Sequence, residues 1–114
     1  MGNLIHEEFA HMVRQKLKPD TNEMQLVHAA MGISGEAGEF LDCIKKHVIY
    51  GQPLDLKNAI EELGDIEFYL EAARTVLVLN REQILLANIA KLNKRYANEF
   101  TTEESIARVD KIGE

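Results

Sequence analysis

Apolar residues recur at helical spacing along almost the whole of this chain, and only two prolines, Pro19 and Pro53, punctuate it. Both fall where a periodic segment ends, so they act as boundaries rather than kinks. The first segment, about Leu4 to Leu17, sets Ile5, Phe9, Met12 and Val13 on one stripe. The second starts at Thr21, an N-cap residue, and carries Met24, Leu26, Val27, Ala30 and Met31, then Phe40, Leu41 and Ile44, to about Val48. Tyr50-Gly51-Gln52-Pro53 makes the turn. Asp55 caps a third segment that runs to about Leu79, and Asn80 with Gln83 three residues on forms a capping box for a fourth, ending near Ala97. Thr101-Thr102-Glu103-Glu104 is expected to cap a last short amphipathic piece holding Ile106, Val109 and Ile112.

Four helices joined by short loops are expected to pack as an all-α, antiparallel four-helix bundle with a short C-terminal helical tail. At 114 residues, with 46% apolar and 28% charged side chains, one domain spanning 1–114 is expected. Leu63, Ile66, Phe68, Leu70, Val76, Leu77, Val78 and Leu79 cannot all face one four-helix core. A second buried face points to a homodimer or a dimer of dimers.

Composition also excludes several functions. The formal charge is −6, from 13 basic and 19 acidic side chains, which disfavours a nucleic-acid polymer as partner. A small anionic ligand remains open if a cation mediates the contact. No run approaches the roughly 18 apolar residues of a membrane span. MGNLIHEEF has acids where a signal peptide needs a basic head, and His6 replaces the Ser or Thr of a myristoylation site. The lone Cys43 cannot form an internal disulfide or build a cysteine zinc site, and is read as a packing or surface thiol. A cytoplasmic location is expected.

Two acidic pairs lie inside otherwise apolar helices: Glu36-x-x-Glu39 in GEAGEF and Glu62-x-x-Asp65 in IEELGDIEFYL. Residues three apart share a helix face, and the turn at 51–53 lets the two helices return past one another. Opposed across the interface, the pairs would gather four carboxylates. Such a group must repel or protonate unless a cation intervenes. Hard oxygen donors of this kind suit Mg²⁺, with Mn²⁺ as a substitute. Gly35, Gly38 and Gly64 flank the acids and would clear space for ions or phosphates, or let the helices approach closely. Each glycine in a helix otherwise costs about 1 kcal/mol against alanine.

These residues resemble the MazG-like, all-α nucleoside triphosphate pyrophosphohydrolases. That family's signature is a Glu-x-x-Glu followed, after a helix-turn-helix interval, by Glu-x-x-Asp. The stretches "HAAMGISGEAGEF" and "IEELGDIEFYL", and the later "NIAKLNKRY", carry the resemblance from about residue 24 to 97. It implies Mg²⁺-dependent hydrolysis of a nucleoside triphosphate between the α and β phosphates, giving monophosphate and pyrophosphate. By matching positions, Glu36, Glu39, Glu62 and Asp65 would be the metal ligands and the catalytic residues. One of them, such as Glu39, could accept a proton from the attacking water.

Substrate contacts are less sharply marked. Lys46, seven residues after Glu39, could reach a phosphate, as could Lys91, Lys94 and Arg95, flanked by Asn88 and Tyr96. Tyr69 falls one turn beyond Asp65, and Gln25 and His28 precede the first acidic pair. Relatives that grip a base between tryptophans are a poor guide, because this chain has none. Among rivals, a ferritin-like di-iron bundle needs two Glu-x-x-His motifs, and Glu8-Phe-Ala-His11 supplies one. Hydrolysis of a guanosine polyphosphate alarmone, or a non-catalytic helical oligomerisation module, are the alternatives.

Overall fold

The computed structural model describes the backbone of residues 2–113 and the side chains of residues 4–98. It contains four helices, α1 (Gly2–Lys16), α2 (Asn22–Val48), α3 (Leu56–Leu77) and α4 (Arg81–Gly113), and no strand among the described residues. No described helix is long and apolar enough to cross a membrane.

The boundaries follow local chemistry. Thr21 Oγ1 accepts from the Met24 amide at 3.2 Å, and Asp55 Oδ1 accepts from Asn58 at 3.0 Å. Each thereby satisfies one amide that the first helical turn leaves without a partner. At the start of α4 the expected capping box is complete: Asn80 N donates to Gln83 Oε1 and Gln83 N to Asn80 Oδ1, both at 2.8 Å. One boundary differs from expectation. The fourth segment does not stop near Ala97; α4 continues through the Thr101–Glu104 stretch to Gly113. Threonine and glutamate there continue the helix, since both are compatible with a helix interior as well as with a cap.

The chain divides into two compact units, Met1–Leu79 and Asn80–Glu114. The first holds α1, α2 and α3 around a core of Val13, Ala29 and Ala72, with Phe9, Met12, Leu17, Phe68 and Ala73 packed against it. Successive contacts pair earlier residues of α2 with later residues of α3. Cys43 meets Asp55, Glu36 meets Glu62, and Gly32 meets Tyr69. The α2–α3 turn is tied by His47 Nδ1, which donates to the Gln52 carbonyl at 2.7 Å, and by Gly51 at φ +72°. A left-handed φ of that kind suits glycine, which has no Cβ to clash. The second unit is α4.

Ile66, Phe68, Leu70 and Val76 are half-buried, while Leu63, Leu77, Val78 and Leu79 are exposed. On α2, Val27, Met31, Leu41 and Val48 lie outside the core at helical spacing, Met31 with 66% of its surface exposed. Ile5, expected on the core stripe of α1, is also exposed. Val13 and the partly buried Phe9 and Met12 fill the space against α2 and α3 instead.

Candidate functional site

The site forms where α2 and α3 pass each other. Glu36 and Glu62 are half-buried and Asp65 is exposed, and one carboxylate oxygen from each lies within 4.8 Å of the other two. Glu62 and Asp65 are three residues apart on α3, so one helical face presents both. Glu36 reaches them from α2. Three of the four carboxylates singled out in the sequence are thus brought together. Glu39 is exposed and lies outside this closest group, though its charge still acts on Glu62.

The electrostatics are those of crowded like charges. Glu62 is pushed above the ordinary glutamate value of 4.5. The largest cause is the hydrogen bond to the Glu36 carboxyl, followed by burial and by the negative charges of Glu36, Glu39 and Asp65. A hydrogen bond between two carboxyls exists only while one of them carries a proton. Glu62 Oε2 is shielded from solvent and has no hydrogen-bond partner. A buried carboxylate oxygen without a donor is unfavourable by itself. A divalent cation would satisfy that oxygen and offset the repulsion, and an all-oxygen donor set is the type that Mg²⁺ or Mn²⁺ takes. The residues present fit such an ion.

The other candidates lie on α2, α3 and α4. Tyr69 is half-buried and lies against Gly32, one helical turn beyond Asp65. Lys46 is exposed in the last turn of α2. Gln25 is engaged elsewhere: its Nε2 donates to the Lys18 carbonyl at 2.9 Å, tying down the α1–α2 loop. It stands eleven residues ahead of Glu36, about 16 Å along the helix axis. His28 is exposed on α2, and Asn88, Lys91, Lys94, Arg95 and Tyr96 are exposed on α4, in the second unit.

The glycines divide in an unexpected way. A Cβ added at Gly35, Gly38 or Gly64 would meet nothing within 4 Å, so none of the three is required for α2 and α3 to approach. Gly32 is the one that is. A Cβ there would run into Cγ, Cδ1 and Cε1 of Tyr69. Nothing along the sequence distinguishes it from the other three. Cys43 is buried, its thiol donating weakly to the Asp55 carbonyl at 3.8 Å, which is the packing role expected of it.

Arg74 was not singled out by sequence. It is buried, 7% exposed, with Nε 2.5 Å from Glu71 Oε2 and Nη2 3.9 Å from Glu67 Oε2. All three residues belong to α3, so the guanidinium is neutralised within its own helix and is not directed at the carboxylate group.

No protein-family model, curated protein or solved structure matches the chain.

Proposed function

We propose that the chain is a Mg²⁺-dependent nucleoside triphosphate pyrophosphohydrolase of the MazG-like kind, releasing a nucleoside monophosphate and pyrophosphate. The observation that carries this is the convergence of Glu36, Glu62 and Asp65 from two helices, with a shielded Glu62 oxygen left without a partner. Together with Glu39, these residues would hold the cation, Mg²⁺ with Mn²⁺ as substitute. When bound, the ion supplies Lewis acidity and neutralises phosphate charge.

What the chain's own groups do follows from their placement. Glu36 and Glu62 face each other and need a positive charge between them, so they orient a cation-chelating ligand such as a polyphosphate. Asp65, more open to solvent, extends the donor set toward the ligand's side. Glu39 is exposed and outside the closest group, and besides its part in holding the cation it would accept the proton of a water adding to the phosphoanhydride. Hydrolysis consumes that one water and cleaves the bond between the α phosphorus or β phosphorus and their bridging oxygen. Lys46 would contribute a phosphate contact.

The same proposal includes an antiparallel four-helix bundle that assembles as a homodimer or a dimer of dimers in the cytoplasm. The exposed apolar positions Met31, Leu41, Ile60 and Leu63 support an oligomer that would cover them. They equally favour a second reading, a helical oligomerisation module without activity. Pyrophosphate release from nucleoside triphosphates, with and without Mg²⁺, separates the two. Release that requires Mg²⁺ and disappears in Glu62→Gln supports the enzyme; a stable oligomer inert toward every triphosphate and toward guanosine polyphosphates supports the module.

A further inference from the structure

The ring of Tyr69 lies directly on the backbone of Gly32. The atoms that a Cβ at position 32 would strike are Cγ, Cδ1 and Cε1, the base and one edge of the ring rather than its flexible tip. Tyr69 could therefore yield only by changing its χ1 rotamer or by parting α2 from α3. Phe68 meets the ring edge-to-face, with centroids 5.3 Å apart and planes at 89°, and Phe68 itself packs against the Val13, Ala29 and Ala72 core. The ring is thus fixed on one side by the core and on the other by an absent side chain.

Its position matters because of what lies next to it. Gly32 is one turn before Glu36 on α2, and Tyr69 is one turn after Asp65 and two after Glu62 on α3. The Gly32–Tyr69 contact is consequently the level of the α2–α3 seam adjoining the Glu36–Glu62 pair.

We propose that Gly32 is a positioning residue: by lacking a side chain it seats Tyr69 in the seam, making the phenol ring a fixed wall beside the carboxylate group. That wall sets how a phosphate-bearing ligand held at Glu36, Glu62 and Asp65 lies. The role rests on the cation-dependent function proposed above. An alanine at position 32 would push the ring out and misplace the ligand without removing a single carboxylate.

The chain has no tryptophan and three tyrosines, so Tyr50→Phe with Tyr96→Phe leaves Tyr69 as the only tyrosine fluorophore. In that background, Mn²⁺ binding is followed both by electron paramagnetic resonance of the free ion and by quenching of Tyr69. Saturable quenching is expected with Gly32 present. Adding Gly32→Ala should preserve Mn²⁺ binding but remove most of the quenching, and Gly32→Ala alone in the otherwise unaltered chain should raise KM for the triphosphate about tenfold. If Gly32→Ala does not fold, Tyr69→Leu in the full chain gives the second reading, with the same rise in KM expected. Mn²⁺ binding with unchanged quenching in Gly32→Ala, or an unaltered KM in Tyr69→Leu, overturns this role alone. No Mn²⁺ binding in the Gly32 protein overturns the cation site and this role together.

Discussion

Glu62 of α3 and Glu36 of α2 face one another as a carboxyl pair, and Glu62 Oε2 is shielded with no partner of its own. Two acids so placed are at odds with each other in the bare protein and compatible only through a proton or a cation. Most of what the site is expected to do follows from that relationship.

A divalent cation that binds only the folded chain stabilises it by mass action. At about a hundredfold excess over the dissociation constant, Mg²⁺ should raise the melting temperature on the order of 10 °C. Glu62→Gln should melt no lower than the parent in EDTA, because it removes a like charge, yet lose most of the Mg²⁺ response. Differential scanning fluorimetry with and without Mg²⁺ reads both effects. A full Mg²⁺ shift in the variant would remove Glu62 from the site.

The pH dependence follows from the same pair. The folded chain holds the Glu62 proton above the ordinary value of 4.5, so over that window it binds more protons than the unfolded chain. Stability from this group is therefore complete below about pH 4.5 and is lost as pH rises through the raised folded value. Urea unfolding in EDTA from pH 4.5 to 8 should show a downward slope that is shallower in Glu62→Gln. Saturating Mg²⁺ should flatten the parent's slope as well, since the ion favours the ionised pair.

The helix glycines should respond unequally to alanine. Gly35→Ala, Gly38→Ala and Gly64→Ala add a methyl into open space and should each gain about 0.5–1 kcal/mol from helix propensity. Gly32→Ala should instead lose about 1–3 kcal/mol, because the added carbon meets the Tyr69 ring. Urea titrations of the four variants give the signs. A loss at Gly38 would mark the place where a second copy packs against α2.

Much of this was legible in the residues. Thr21, Asp55 and the Asn80–Gln83 box announce three helix starts, and each cap is formed as its side-chain chemistry requires. The i, i+3 spacing of Glu62 and Asp65 likewise implies a shared face, and they share one. The continuation of α4 past Ala97 was not legible, because Thr and Glu serve equally well as a cap and as helix interior. Nor was the difference between Gly32 and its neighbours. Which glycine is needed depends on which ring arrives from the other helix, and spacing along one helix carries no such information.

Val78 shows the same limit at the end of α3. It adopts φ 56° and ψ 45°, with its amide turned back to the Arg74 and Thr75 carbonyls, and 87% of its surface is exposed. A β-branched residue in the left-handed region is unfavourable by roughly 1–2 kcal/mol, where glycine is at ease. Val78→Gly should therefore stabilise the chain by about 1 kcal/mol in urea unfolding. A loss of stability would show that the valine side chain makes a contact in the assembled protein.

The central claim is that the carboxylates of α2 and α3 hold a cation for phosphoanhydride hydrolysis. Pyrophosphate release is the direct measurement, using a panel of ribo- and deoxynucleoside triphosphates and modified nucleotides with Mg²⁺ or EDTA. Release of pyrophosphate and monophosphate is expected only with Mg²⁺, and Glu39→Gln and Asp65→Asn should abolish it while retaining helicity and oligomeric state. Activity that persists in both variants, or no pyrophosphate from any nucleotide with Mg²⁺ present, would contradict the account.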